Sequence, residues 1–426
     1  MKNAKWMAVT SLVAVLALCV AASEPQGEVR EQREVSRGVS YTHLKRTTSA
    51  GEPWSIHILE MSRTERKAEL RSVLAEGGTE GEMQRQLPTD MAQRVAASGL
   101  NVVAVVNGDY DLAAPYMGVS DGLSVTAGAV ATTGKPAWPA MALTSSGEPL
   151  IAVPQVEMML EARGRSWPIA ALNKPLGTAW GTGLHLYTRE FRATVKSDKA
   201  FRAVVIGKLS RPLPLQVNKT VSGTVEEIFE GATQAPIATG KLVLVESLET
   251  KEGGTGAALK AGEKVKLRVH VEMNGQKKIG DVVGGFPILV EGGRKHIVGE
   301  PTARLAQRNP RTAFCINQQK VIFVVVDGRQ PKLSVGMTLD ELADLMVELG
   351  CTTAMNSDGG GSSVMAVALP AGTLKPGTIT DTAAIDRGAT KLNVKGTNGV
   401  ALAIVNSPSD GQERGRGNAW IVIQKK

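Results

Sequence analysis

Two short stretches end apolar runs with an amide, one intervening residue and a carboxylate. They are Asn107-Gly108-Asp109 after LNVVAVV and Asn356-Ser357-Asp358 after CTTAM. Three glycines, Gly359, Gly360 and Gly361, and then Ser362 follow the second aspartate. Carboxylates at strand exits can do acid-base or nucleophilic work in a cleft. A strand has a side-chain period of two, so each Asn and Asp would share a face if the strand continued through them. Turns also favour Asn, Asp and Gly, which is the plainer explanation of either motif taken alone. Asp111, Asp281 and Asp327 hold similar turn positions. Arg311 opens RTAFCIN and Arg329 follows Asp327-Gly328. A guanidinium can grip a phosphate through two parallel hydrogen bonds, which suits either arginine to an anionic substrate.

The glycine run resembles a nucleotide loop only in composition. Phosphate loops of the P-loop and dinucleotide kinds run from a strand into a helix whose N-terminus faces the anion. Here VMAVAL follows, which reads as another strand, and no lysine accompanies the glycines. A backbone nest, in which successive N–H groups of a tight turn point at an anionic oxygen, is the reading that fits. The five histidines occur singly and outside any Ser, Cys or carboxylate motif, so neither a Ser-His-Asp hydrolase nor histidine-bound zinc is supported. No metal-ligand spacing and no cofactor motif is present.

The elements that must position these residues are mainly strands. VSYTHL, PWSIHILEM, AELRSVLA, LNVVAVV, RTAFCIN, KVIFVVVDG, CTTAMN and VMAVAL are short apolar runs punctuated by Gly and polar turns. Two helices are expected. One spans Thr89 to Ser98 after Pro88, with Met91, Val95 and Ala96 on one side and Gly99 at its end. The other is MTLDELADLMVELG, with Thr338 capping, Glu341 three residues on, an apolar face of Leu339, Leu342, Leu345 and Met346, and Gly350 as its stop. The fold class that follows is α+β, a strand-rich mixed sheet core with a few helices packed on it.

At 426 residues the chain is long enough for one large core with insertions, and the stretch from about 141 to 281 is a strand-rich middle section. Apolar residues make up 42% and aromatic ones 4%, which supplies a core but not stacking platforms for nucleic acid. The +8 net charge is scattered rather than clustered, so no nucleic-acid partner is indicated. Residues 1–23 have a charged start, an apolar run and small residues at the end, the layout of a secretory signal peptide. The expected product is exported, to the envelope, the periplasm or the medium, without an integral membrane span. Cys19 offers lipoprotein processing as an alternative, against which stands the bulky Leu18 before it. Residues 24–37 are polar and read as a flexible leader. Cys315 and Cys351 then remain, either as a disulfide or as two small buried apolar residues.

The order of motifs resembles the phosphodiester glycosidase family. The resemblance runs through GVSYTHL, GEPWSIHIL, VVNGDYD, GVSDGLSV, LNKPLGT with LHLYT, VGGFPILVEGG, NPRTAFCIN, VVVDGRQPKLSVGMTLDELADLMVELGC, AMNSDGGGSSVMAV and NSPSDGQERGRGNAWIVI, and covers residues from about 38 to 423. Three positions depart from the family pattern: Asp111 where an aromatic is usual, Phe286 where a third glycine is common, and Ser357 where leucine is common. All three border the presumed cleft and bear on substrate choice. The resemblance implies hydrolysis at the anomeric carbon of a sugar-1-phosphodiester, such as an N-acetylglucosamine-1-phosphodiester, a phosphodiester-linked glycan or a sugar nucleotide. Free sugar and a phosphomonoester would be released. Asp358 and Asp109 would be the catalytic carboxylates. Arg311 would hold the phosphate, with the amides of Gly359 to Gly361 and Ser362 donating to its oxygens. Asn107, Asn356 and Arg329 would orient sugar hydroxyls or the carboxylates, and Gly108 would belong to the same substrate-binding set. Two alternatives stand beside this: a non-catalytic wall or exopolysaccharide binding protein on the same fold, and a metal-dependent phosphodiesterase cutting P–O.

Overall fold

The computed structural model describes residues 28–76, 83–181, 183–248, 259–298, 302–369, 383–387, 390–397 and 400–425. Among the described residues strands account for 52% and helices for 8%, with two helices longer than one turn, so the expected strand-rich core with few helices is present but the balance is largely β. The segment 1–23 lies outside the described residues. Within the expected leader, Val29–Ser36 is a strand rather than flexible chain. It pairs antiparallel with Val39–Thr47 at the edge of an eight-stranded sheet. Its side chains are mostly exposed, so no apolar alternation marks it, and backbone pairing supplies the order.

Two sheets carry the chemistry. In the eight-stranded one, Arg311–Ile316 lies between Lys320–Val326 and Thr353–Asn356. In a seven-stranded one, Val102–Asn107 lies between Met365–Ala368 and Asn418–Gln424, and every residue of it is buried. A strand hydrogen-bonded on both edges and covered on both faces needs a continuous apolar run, which is what VVAVV provides. Phe314, Phe323 and Met355 of the first sheet share one core with Val106, Met365 and Trp420 of the second. The strands ending in Asn107 and Asn356 therefore emerge close together.

The stretch from 141 to 281 is built mainly of strands. Its strands from Gln155–Ala162 to Lys264–Glu272 form a closed seven-stranded barrel, and its flanks join a five-stranded sheet. The barrel interior packs around Leu160, Trp167, Leu186, Val204, Leu244 and Leu267.

Both predicted helices form, over Pro88–Ala97 and Leu339–Glu348. The second has a closed capping box: the Thr338 hydroxyl accepts from Glu341 N at 3.1 Å and the Glu341 carboxylate accepts from Thr338 N at 2.9 Å. It ends at Gly350 in the left-handed region, φ 75°. Leu339, Leu342, Leu345 and Met346 are buried against the eight-stranded sheet.

Cys315 and Cys351 are joined in a disulfide with a Cα separation of 5.7 Å, resolving the pairing left open by the sequence. The bridge ties the end of this helix to the strand Arg311–Ile316, next to the strand that leads into the glycine loop. Replacing both cysteines with alanine should lower unfolding stability by about 2–5 kcal/mol. Urea titration of the double variant checks this, and an unchanged midpoint would assign the bridge no stabilising role.

Candidate active site

Neither strand continues through its motif. Val102–Asn107 stops at Asn107 and Thr353–Asn356 stops at Asn356, so Asp109 and Asp358 lie beyond the pleat and period two does not relate each Asn to its Asp. The amides act instead as fasteners. Asn107 Nδ2 donates to the Asp358 carbonyl at 2.8 Å, and its Oδ1 accepts from Thr312 Oγ1 at 2.9 Å and Val364 N at 3.0 Å. With its polar atoms engaged and the residue fully buried, Asn107 positions the loop and does not reach a substrate. Asn356 Nδ2 donates to the Tyr110 hydroxyl at 2.8 Å and the Phe286 carbonyl at 2.7 Å, while its Oδ1 is buried with no partner.

Gly108 carries a packing constraint, since a Cβ there would run into the side chain and carbonyl of Asn418. Its carbonyl accepts from Ser357 Oγ at 2.6 Å. That bond explains how a hydroxyl sits fully buried at this departure from the family pattern. Asn418 Oδ1 in turn accepts from Asp109 N at 2.9 Å, which fixes the backbone of the first carboxylate.

Asp109 is 1% exposed. Its Oδ2 accepts from Gly122 N at 2.7 Å and its Oδ1 has no partner. The Trp138 indole lies beside it without closing a well-formed hydrogen bond. Burial first, and then the negative charge of Asp121, push the Asp109 carboxyl up to about 7. Asp358 forms an ion pair with Arg416, whose Nη1 also lies 2.8 Å from Asp111 Oδ1. Burial raises the Asp358 carboxyl above the ordinary range, while Arg416 and the Ser362 hydroxyl hold it back. Asp111 is further paired with Arg85 and accepts from Gly118 N at 2.8 Å. The acidic departure is thus neutralised by two arginines. Arg416 Nη2 is buried and unpartnered.

Arg311 is placed differently from the expectation. Its guanidinium donates to the backbone carbonyls of Met337 at 2.8 Å and of Leu305 and Gln307 at 2.6 Å each. These bonds hold the chain before its strand, so the group is occupied in building the fold. Arg329 is exposed, with φ 59°, is held by Asn309 Oδ1 at 2.8 Å, and lies against Gly360. It is an exposed guanidinium at the glycine loop. That loop forms a turn of 3-10 helix at Gly360–Ser362 with Gly360 at φ 63°. Gly360 N donates to the Pro310 carbonyl at 2.8 Å and Ser362 N to the Gly359 carbonyl at 3.3 Å, so two of the expected nest donors are already engaged. Gly359 leaves no room for a Cβ against the Pro310 carbonyl, and Gly361 lies against the side-chain ends of Asp410 and Arg414.

Two other sequence carboxylates serve structure. Asp281 accepts from Ser72 Oγ at 2.7 Å, away from the glycine loop. Asp327 is buried with Ser55 and His57, a grouping the linear sequence hid because its members are far apart in the chain. Both Ser55 Oγ, at 3.2 Å, and Asp327 Oδ2, at 2.9 Å, contact the same ring nitrogen, Nε2. A hydrolase relay needs serine and aspartate on opposite nitrogens, so this is a buried scaffold for the Asp327-Gly328-Arg329 turn. Arg416 and Asn418, within the GRGNAW motif, join the site although their residue types alone do not mark them in the sequence. The available signal was that this motif, too, adjoins an apolar strand. Among the described residues, no group of three or more His, Cys, Asp or Glu is arranged to hold a metal ion, and no helix is long and apolar enough to cross a membrane.

Residues 216–423 match the family model described as phosphodiester glycosidase. None of the curated proteins matches the chain. Among solved structures, a hypothetical protein from Synechocystis has a TM-score of 0.69 at 14% identity over 95% of this chain, which spans 65% of that protein's chain. A candidate exported protein from Burkholderia pseudomallei K96243 has a TM-score of 0.65 at 17% identity, covering 93% of this chain and 97% of its own. Both share the fold. The catalytic domain of zebrafish N-acetylglucosamine-1-phosphodiester alpha-N-acetylglucosaminidase, auto-inhibited by its pro-peptide, matches at a TM-score of 0.40 and 14% identity, over 93% of this chain and 88% of its own.

The folded protein holds the Asp109 proton at pH values where the unfolded chain, with a carboxyl near about 4, has released it. Stability from this group is present below about pH 4 and is lost as pH rises toward about 7. The slope is at most about 1.4 kcal/mol per pH unit. Melting curves of the wild type and Asp109→Asn from pH 4 to 8 should differ by this slope. Parallel pH dependences would show that Asp109 is not raised.

Proposed function

Residues 216–423 belong to the phosphodiester glycosidase family, and on that premise we propose that this chain is a hydrolase that cleaves the glycosidic C–O bond of a sugar-1-phosphodiester, releasing free sugar and a phosphomonoester. One observation carries the reading. Two buried acceptors, Asp109 Oδ1 and Asn356 Oδ1, and one buried donor, Arg416 Nη2, have no partners; Asn356 is bonded to the Tyr110 hydroxyl beside Asp109, and Arg416 is paired with Asp358. A buried polar atom without a partner costs about 1–3 kcal/mol, and such a cluster is what a ligand bearing hydroxyls and anionic oxygens would satisfy.

The chemistry asks little of a strong acid, because a phosphomonoester leaves readily. The barrier lies in the positive charge that develops at the anomeric carbon and the negative charge on the departing oxygen. In the proposed arrangement Asp358, kept as a carboxylate by Arg416, faces the anomeric centre. Asp109, whose proton is exchangeable near neutral pH, serves as the acid-base residue. Arg416 Nη2 and Arg329 hold phosphate oxygens, in place of Arg311. Asn356 Oδ1 accepts from a sugar hydroxyl. The residues that differ from the family pattern, Phe286 and Asp111, border this space and set substrate choice.

Turnover of a sugar-1-phosphodiester in oxygen-18 water, read by mass, should put label in the free sugar; label in the phosphate would sink C–O cleavage. Asp358→Asn should lower kcat by about 10²–10⁴-fold. Arg329→Ala should chiefly raise KM, on the order of 10-fold, for the loss of one charge-assisted contact. Full activity in Asp358→Asn removes that residue from the mechanism.

A further inference from the structure

Behind Asp109 lies a set of charges that the chemistry above does not use. Lys174, in the connection that follows the barrel strand Arg165–Leu172, is completely buried. Its Nζ donates to the carbonyls of Ser120 and, at 3.3 Å, of Asp121, and it sits 4.3 Å from the ring centre of Trp180. The same loop turns through Gly122, whose N–H binds Asp109 Oδ2. Asp121 N donates to the Tyr110 carbonyl at 2.9 Å, so the segment from Ser120 to Gly122 is clamped between the ammonium on one side and the Asp109 segment on the other. At the outer end Lys135 Nζ lies 2.8 Å from Asp121 Oδ1 and over the rings of Trp138 and Trp180 at 4.8 and 5.3 Å. Lys135 is about one-third exposed, Asp121 less so, and Lys174 not at all, so the row leads from solvent to the buried carboxylate.

Burying a lysine with no direct carboxylate hydrogen bond is costly unless its charge is used. Resting on the function proposed above, we propose that Lys174 is a positioning residue that fixes the charge state of Asp109, with Asp121 and Lys135 linking the pair to solvent. The charged groups facing Asp109 are Asp121 and Lys174, and Lys135 faces Lys174 from the loop before Ala140–Thr144. Burial pushes the Lys174 ammonium down, against the pull of Asp109 and Asp121. Lys174, Asp121, Lys135 and Asp109 all precede residue 216, so they lie outside the stretch that matches the family model.

The two neighbours of Asp109 should act in opposite directions. In Lys174→Met the stabilising cation is gone, and the limb of the kcat/KM–pH profile set by Asp109 should move to higher pH by about one unit or more. In Asp121→Asn the repelling anion is gone, and the limb should move to lower pH. Lys174→Arg, which stays charged, should not move it upward. The same displacements should be seen without substrate, in the Asp109-dependent slope of melting temperature against pH, and should vanish when Asp109→Asn is added. If the wild type shows no turnover, the proposed reaction fails, and the substrate-free titration still judges the role of Lys174. Should Lys174→Met not fold, Asp121→Asn decides. A limb and slope that stay in place in folded Lys174→Met, or in Asp121→Asn where Lys174→Met does not fold, would overturn the proposal.

Discussion

The side chain of Asn107 joins three pieces of chain that are distant in sequence: its own strand, the strand beginning at Arg311 and the loop from Asp358 to Val364. Its donor holds the Asp358 carbonyl and its acceptor takes the Thr312 hydroxyl and the Val364 amide. All of this happens where no water competes, so each bond lost would leave a buried polar group unsatisfied. The position of one candidate catalytic carboxylate is therefore set by an amide at the end of another strand in a different sheet. Gly108 and Asn418 complete the constraint, since the glycine admits Asn418 close enough for its side chain to bind Asp109 N.

Given that backbone, electrostatics differentiates the two carboxylates. Asp358 has an arginine within an ion-pair distance, and Asp111 shares the same arginine while holding a second one, Arg85. Asp109 has no direct ion pair, is more deeply buried, and feels Asp121 as well as Lys174. Environments of this kind push two acids of the same type toward different protonation states, which is how one site can hold both a carboxylate and a proton carrier. An unpaired buried acid is costly to keep, and such costs gather at functional sites.

The middle barrel is more than an appendage to this arrangement. Its strand Arg165–Leu172 delivers Lys174 to the back of the site, and Asn173 beside it is fastened by the Ala131 carbonyl at 2.8 Å and the Thr188 hydroxyl at 2.9 Å. The aromatic residues Tyr110, Trp138 and Phe286 pack against one another at the same place, with Trp138 and Phe286 stacked at 4.8 Å. Segments before and after residue 216 thus meet at a single cluster of charges and rings.

Much of this was legible in the linear chain. Continuous apolar runs gave the buried strands, the Thr338 and Glu341 spacing gave a capped helix, and the order of the Asn-x-Asp and glycine motifs pointed to the family. Those signals are local: they depend on burial period, caps and turns within a few residues. Partnership is not local. Arg311 and Arg329 look equally suited to a phosphate in sequence, and only the fold puts three backbone carbonyls around the first and leaves the second exposed on the glycine loop. The strand at Val29–Ser36 carried no apolar period because its stability comes from hydrogen bonds to a neighbour. Arg416, Asn418 and Lys174 acquire their roles from strands and loops brought together across hundreds of residues. The sequence by itself determined the apolar strands that frame the site, the two helices packed on them and which residue types stand at the strand ends. The tertiary structure decided which of those groups are consumed in holding the fold and which are left buried and unpaired, because a hydrogen bond or ion pair is set by distance in space and not along the chain.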